Sequence, residues 1–401
     1  MRIGKYFSVL IFFCNFAKKL IGLIGPIGLI SQLVNSMKNT QFSILSSKAQ
    51  RPSILNSQLI IAGPCAAESE QQVISTAKAL AAIGVKYFRA GLWKPRTQPG
   101  TFEGVGEVGL QWLRRVKVET GMLVGTEVAN AEHARLAVAA GLDFVWIGAR
   151  TTTNPFAVQE IADVLKNNKE ITVLVKNPMN PDVNLWVGAI KRLLKVGVEH
   201  VVAVHRGFFN AQCTMHNAQL SYRNDPYWYV PIELRRLMPK VPLLCDPSHI
   251  AGKRELVVGL CQKALDLDFD GLMVECHCCP ELALSDIEQQ LTPVQLKMIL
   301  ERLVVHERVD KDKELAELRS KIDSLDSILI DALAKRMHVS REIGEYKRQH
   351  NMPIVQTGRY NDVIQNRLEL AEELGLSTDL VKQIYELIHE ASVNAQCVES
   401  R

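Results

Sequence analysis

From Gln58 to about Leu303 the chain alternates between two kinds of pattern. Short apolar runs are followed by longer stretches in which apolar residues recur every three or four positions, such as QQVISTAKALAAIG and AEHARLAVAAGL. The first pattern reads as strand and the second as amphipathic helix. The runs are LIIAG (59–63), VKYFRA (85–90), MLVGTEV (122–128), DFVWIGA (143–149), ITVLVK (171–176), HVVAVH (200–205), VPLLCD (241–246) and DGLMVE (270–275). Eight strand-then-helix units predict an α/β fold, a closed (β/α)8 TIM barrel. The runs are nearly continuous in apolar character, as expected for parallel strands covered on both faces.

Beyond Leu303 the pattern changes. VVHERVDKDKELAELRS is highly charged and has no strand signal. From Lys313 to Gln349 there is no proline, and apolar residues recur at Leu315, Leu318, Ile322, Leu325, Leu329, Leu333 and Met337. This spacing predicts one very long helix. Two more helices are expected over 359–374 and 377–397, with Ser377 as N-cap and Asp379 in the first turn. The barrel is therefore followed by an all-α three-helix domain. One long helix and two shorter ones cannot cover a two-sided apolar surface, so an intertwined helical homodimer is expected. The domain plan is an N-terminal arm (1–54), a barrel (55–305), a linker (306–312) and a helical domain (313–401).

Composition narrows the function. A net charge of +4 and the lack of a basic run with interleaved aromatics make nucleic acid a poor partner. The nine cysteines do not space like a disulfide framework, and a reducing, cytoplasmic compartment is expected. At the N-terminus, YFSVLIFFCNFA and LIGLIGPIGLISQLV are apolar but are split by Lys18 and Lys19. Neither half reaches the roughly 20 residues of a membrane helix. Arg2 and Lys5 precede an apolar run as in a signal peptide, yet no clear cleavage site follows. The favoured expectation is that translation starts at Met37, that 1–36 lies outside the mature fold, and that no stable membrane association exists.

In such barrels reactive groups sit where strands end. Those ends carry Cys65 (AGPC), Arg89 followed by Lys94, Arg96 and Thr97 (GLWKPRT), Arg150 (GART), Lys176 (VKN), His205 and Arg206 (HRG), Asp246 and His249 (DPSH), and Glu275 with Asp286 eleven residues on. A lone cysteine there is more often packing than ligand, and a lone arginine is usually a solvated rim charge. Convergence on one face reverses those odds. Strand 8 closes beside strand 1, so Cys65, His249, Glu275 and Asp286 become neighbours. One thiolate, one imidazole and two carboxylates suit a borderline divalent ion such as Mn²⁺, Fe²⁺, Co²⁺ or Zn²⁺. Arg89, Lys94, Arg96, Arg150, Lys176 and Arg206 require anions, with phosphates and carboxylates the natural match. The pattern alone points to a metal-assisted enzyme acting on phosphorylated acids.

In this order, GPC, KPRT, IGART, VKN, HRG, DPSH and VE…ALSD resemble type I 3-deoxy-D-arabino-heptulosonate 7-phosphate (DAHP) synthases, in their compact Iβ-like form. KPRT separates them from the sister barrels that make 3-deoxy-octulosonate 8-phosphate. The resemblance implies condensation of phosphoenolpyruvate with erythrose 4-phosphate, the first step of the shikimate pathway. It implies Cys65, His249, Glu275 and Asp286 as ligands, with Mn²⁺ the first choice of ion. Arg150, Lys176 and Arg206 would hold phosphoenolpyruvate with Arg89 close by, and Lys176 is also a candidate proton donor. Lys94, Arg96 and Thr97 would hold erythrose 4-phosphate. Cys276, Cys278 and Cys279 do not match ligand positions, and strand alternation turns Cys276 away from Glu275. His277 is expected near the mouth, where it could support the ligands, and the alternative reading is a structural zinc site made by His277 with Cys276, Cys278 and Cys279.

The segment ELRSKIDSLDSILIDALAKRMHVSREIGEYK resembles an AroQ-class chorismate mutase, which rearranges chorismate to prephenate without a cofactor. Arg336 and Lys347, eleven residues apart, differ by about 20° around a helix axis and share a face, whereas Arg319 lies about 100° round. Ser392 and Gln396 share a face of the last helix at i, i+4. The resemblance implies Arg336, Arg359 and, from the partner chain, Arg319 around the two carboxylates, with Lys347 and Gln396 on the ether oxygen. Gln356 and Tyr360 depart from its usual Asp and Glu. The competing expectation is a non-catalytic tail that senses chorismate or prephenate, or clamps the dimer, and regulates the barrel.

Overall fold

The computed structural model describes residues 54–95, 100–166, 168, 170–209, 222–306, 313–355 and 357–397. All eight apolar runs form strands. In chain order the first unit contains α1 (Ile54–Ser57), β1 (Leu59–Gly63), α2 (Glu70–Ala82), β2 (Tyr87–Arg89), α3 (Val108–Thr120), β3 (Leu123–Val128), α4 (Ala131–Ala139) and β4 (Phe144–Ile147). It continues with α5 (Ala149–Thr152), α6 (Pro155–Leu165), β5 (Thr172–Lys176), α7 (Val183–Lys195), β6 (Val201–His205), α8 (Tyr229–Leu237) and β7 (Leu243–Cys245). It ends with α9 (Pro247–Ala251), α10 (Arg254–Asp266), β8 (Gly271–Glu275) and α11 (Pro293–Arg302). The strands pair in parallel in sequence order and β8 closes on β1, with Gly63 opposite Glu275.

Both faces of the sheet are covered, which is why the strands read as continuous apolar runs. Ile61, Phe144, Trp146, Leu174, Val202, Val204, Leu244 and Met273 fill the barrel interior. Intervening residues such as Ile60, Ala62, Val145, Val173 and Val175 pack outward under the helices. Most strands are shorter than the apolar runs, and at β2 and β7 the local reason is plain. Val85 is drawn into the exit of α2, where its N–H donates to Leu80 O at 3.2 Å. Asp246 leaves β7 to cap α9, its Oδ1 accepting from the His249 N–H at 3.1 Å.

The chain divides into compact units between His306 and Glu307. The second unit contains α12 (Lys313–Gln349), α13 (Thr357–Glu373) and α14 (Thr378–Cys397). Ser377 caps α14 as expected, its Oγ accepting from the Leu380 N–H at 3.3 Å. Gly344 allows α12 to approach α14: a Cβ there would meet Gln396 Cα at 2.7 Å. Little else in this unit is buried. Leu318, Ile322, Leu325 and Leu329, one face of α12, are each at least half exposed. Among the described residues of both units, no helix is long and apolar enough to cross a membrane.

Closure of the barrel predicts a sensitive position. Gly63 has φ +148°, and a Cβ there would lie 2.0 Å from the Arg89 carbonyl oxygen. Gly63→Ala is expected to cost about 2 kcal/mol or more, read as a lower urea midpoint with an unchanged slope.

Candidate functional site

The loops after β1, β7 and β8 bring the predicted quartet together. One ligand atom from each of Cys65, His249, Glu275 and Asp286 lies within 4.8 Å of the others. Cys65 Sγ donates to Asp286 Oδ2 at 2.8 Å. His249 Nε2 is 3.6 Å from Glu275 Oε1. On its other side, His249 Nδ1 lies 2.8 Å from Asp246 Oδ2, which orients the ring and leaves Nε2 for the centre.

Burial and charge oppose each other here. Burial and the Glu275 carboxylate push the Cys65 thiol well above its usual range, against the pull of Lys94. Burial pushes Asp286 up too, but His249 and Arg223 more than offset it and hold the carboxyl far below its usual range. A buried cluster of thiol and carboxylates is the environment a divalent cation relieves, because it neutralises the anions and deprotonates the thiol. The mixed S, N, O, O donor set and its buried outer partners fit such an ion.

The cationic residues divide between two levels. Lys94, Arg150, Lys176 and Arg206 line a cavity of about 320 Å³ above the quartet, with Glu127, Arg223, His249 and Asp286. Arg89 lies beneath: it is 1% exposed, pairs with Glu275 Oε1 at 3.2 Å and stacks over the Trp146 ring at 4.9 Å. Lys94 Nζ is 2.9 Å from Cys65 Sγ and also bonds to the Cys65 carbonyl. Lys176 Nζ donates to Asp246 Oδ2 at 2.7 Å. Burial draws the Lys176 ammonium below its usual range, while the neighbouring Asp246 opposes this. Burial likewise pushes Arg206 down to about 10. Arg206 remains cationic at neutral pH, with Nη1 donating to Asn224 Oδ1 at 2.8 Å. Arg96 and Thr97 lie outside the described residues.

The three neighbouring cysteines stand apart from the quartet. Cys276 is fully buried on the outward face, as alternation predicted. Cys278 and Cys279 reach Gln72 O and Glu281 respectively. His277 differs from expectation: its partners are Glu68, 3.6 Å from Nε2, and the Cys279 N–H, 2.9 Å from Nδ1. None of the ligands touches it, because β8 ends at Glu275 and the next turn points the imidazole toward α2.

The helical unit holds a second cavity, about 420 Å³, lined by Arg336, Ser340, Lys347, Tyr360, His389, Ser392 and Gln396 with apolar neighbours. Arg336 Nη1 bonds to Ser392 Oγ. Lys347 Nζ donates to Gln396 Oε1 at 3.1 Å and to Ile354 O at 2.6 Å. The shared faces read from helical spacing therefore meet. No carboxylate lines this cavity among the described residues. Tyr360 packs on His389 with ring centroids 4.2 Å apart. Arg319 is exposed on α12, away from the cavity. Arg359 lies in α13, but its side chain is not described, and Gln356 is outside the described residues.

Sequence reasoning passed over Arg223, Gln289, Asn224 and Glu127. Arg223 and Asn224 follow a stretch with no strand signal, Gln289 and Asn224 are neutral amides, and Glu127 is one acid within an apolar strand. Nothing in their local sequence marks them.

A parallel barrel whose strand ends converge on a metal-fitting quartet beneath a cationic cavity defines the class of protein, a TIM barrel with a site suited to anions. Residues 55–309 match the sequence model of the DAHP synthetase I family, and the chain belongs to that family. Residues 318–397 match chorismate mutase type II. The phospho-2-dehydro-3-deoxyheptonate aldolase of Thermotoga maritima is 33% identical over 233 residues, covering 58% of this chain and 64% of that protein. The T-protein of Enterobacter agglomerans is 35% identical over 83 residues, 21% of this chain and 22% of its own length. The crystal structure of the Thermotoga maritima DAHP synthase superposes with a TM-score of 0.52 at 29% identity, covering 61% of this chain and 67% of that one.

The Lys176–Asp246 pair gives a pH-dependent prediction. Burial pushes Asp246 up, but His249, Lys176 and Arg89 together hold it well below its usual range. A depressed carboxylate stabilises the fold above its unfolded pKa of about 4 and loses that contribution as pH falls through the folded value. Asp246→Asn is expected to cost about 3 kcal/mol or more at pH 7, by leaving Lys176 unpaired. In urea titrations the gap should persist from about pH 5 to 8 and narrow only in stronger acid.

Proposed function

We propose that the barrel condenses phosphoenolpyruvate with erythrose 4-phosphate to give DAHP and phosphate, and that the helical unit rearranges chorismate to prephenate. The observation that carries the first activity is the quartet of Cys65, His249, Glu275 and Asp286 under a cavity lined by Lys94, Arg150, Lys176 and Arg206. These four residues would hold the divalent ion, Mn²⁺ being the first choice. When bound, it supplies Lewis acidity to the aldehyde oxygen of erythrose 4-phosphate.

The chain's own residues do the remaining work. Arg150, Lys176 and Arg206 bind the phosphate and carboxylate of phosphoenolpyruvate, with Arg89 adding positive potential from below. Lys94, with Arg96 and Thr97, holds erythrose 4-phosphate so that its aldehyde carbon meets C3 of phosphoenolpyruvate. Water then adds at C2, and the bond from C2 to the phosphate oxygen breaks. Lys176, an ammonium disfavoured by burial, is suited to give a proton to the oxygen that gains charge. The described cysteines are all free, which supports a reducing, cytoplasmic setting.

In the helical unit, Arg336 and Arg359 bind the carboxylates of chorismate, and Lys347 and Gln396 donate to the ether oxygen as its bond breaks. Ser392 orients Arg336. Tyr360 on His389 stands where the resemblance places a glutamate, and offers a phenol to the ring hydroxyl. The exposed apolar face of α12 supports a homodimer in which Arg319 of the partner subunit completes each site.

With Mn²⁺ present, phosphate release from phosphoenolpyruvate should require erythrose 4-phosphate and stop on chelation. Phosphate release without erythrose 4-phosphate, or none with it, would reject the barrel reading. Chorismate consumption should fall by about 100-fold or more in Arg336→Ala. A dimer by sedimentation that consumes no chorismate would reduce the helical unit to an assembly element.

A further inference from the structure

The loop that carries Asp286 turns back beneath the quartet and places two successive glutamines there, Gln289 and Gln290, both buried. Asp286 has a left-handed backbone, φ +53°, and its carbonyl accepts from the Gln289 N–H at 3.3 Å, which closes the turn. The two amide side chains then reach the ligand residues from behind. Gln289 Nε2 donates to Glu275 Oε2 at 2.7 Å. Its Oε1 accepts from Arg223 Nη1 at 2.8 Å, and the same Nη1 donates to Asp286 Oδ1 at 2.7 Å. Gln290 Oε1 accepts from the Cys65 N–H at 3.0 Å, while Gln290 Nε2 donates to Ser285 O at 2.8 Å.

A single hydrogen-bonded chain thus runs from Glu275 through Gln289 and Arg223 to Asp286. It takes one oxygen of each carboxylate, Oε2 of Glu275 and Oδ1 of Asp286. The oxygens it leaves are Glu275 Oε1, 3.6 Å from His249 Nε2 and also accepting from Arg89 Nη2 at 3.2 Å, and Asp286 Oδ2, 2.8 Å from Cys65 Sγ. We propose that Gln289 and Arg223 are positioning residues that decide which oxygen of each carboxylate faces the metal ion, and so set the affinity of the site. The inference rests on the metal-binding reading given above.

The chemistry at position 289 follows from its two neighbours. It must donate to a carboxylate on one side and accept from a guanidinium on the other. An amide does both. A glutamate would aim a second acceptor at Glu275, and a methionine would leave Glu275 Oε2 without its donor in a buried site. Arg223 reaches in from the mouth, with its side chain 48% exposed, yet donates to both Gln289 and Asp286. Holding both carboxylates before the ion arrives removes an ordering cost from binding. It also sets donors against two anions that would otherwise repel each other.

The test is the dissociation constant for Mn²⁺ of the metal-free full-length protein, read from the paramagnetic signal of free Mn²⁺. Arg223→Ala and Gln289→Met should each weaken binding by about 10-fold or more. Because they act in series, the double variant should lose less than the product of the single losses. Metal-free Arg223→Ala should unfold within a few degrees of the unmodified protein, since that side chain reaches the surface. Unchanged affinity in this folded variant, or two losses that multiply independently, would overturn the proposal. Failure of the unmodified protein to bind Mn²⁺ would instead overturn the metal reading itself, and the frame with it.

Discussion

The ladder between β1 and β8 is the contact on which the barrel site depends. It joins residues more than two hundred positions apart, and sets Gly63 opposite Glu275. Cys65 leaves the end of one strand as Glu275 ends the other, so thiol and carboxylate lie within 4.8 Å of each other. Gly63 is needed because the Arg89 carbonyl occupies the space of a side chain. The same closure buries Arg89 under the site, where it meets Glu275 and the face of Trp146. Fold and chemistry therefore rest on one backbone register.

That register creates an electrostatic problem. Asp246 and Glu275 are fully buried, and taking each carboxylate out of water costs several kcal/mol. The protein answers with cations at two depths. Arg89 and Lys176 pair with the buried carboxylates, while Arg150 and Arg206 remain turned to the cavity. Arg89 is thus committed to the protein's own acids, Arg150 and Arg206 face the cavity, and Lys176 does both, pairing with Asp246 while lining the cavity. Lys94, against Cys65, stands between the groups.

The barrel was legible because its strands obey one rule, burial on both faces, which leaves a continuous apolar signature. The quartet was legible because strand ends are where such a fold places reactive groups. Helical angles put Arg336 with Lys347 on one face and Ser392 with Gln396 on another, and the structure adds that these two faces meet. What the sequence did not disclose depends on turns. Asp246 leaves its strand to cap a helix and so reaches both His249 and Lys176. Arg223 and Gln289 owe their contacts to loop geometry, including a left-handed Asp286 that no local pattern announces. His277, one residue after Cys276, turns toward Glu68 for the same reason.

The scarcity of buried residues in the helical unit has a thermodynamic consequence. A helix whose Leu318, Ile322, Leu325 and Leu329 face outward gains little from folding alone. Whatever covers that face contributes its binding free energy to the folded state, so the ordered fraction follows the concentration of the partner by mass action. The barrel carries its own core and is free of that dependence. Two units encoded in one chain can then differ in their response to dilution, and the ratio of their folded fractions becomes a function of how much of the protein a cell makes.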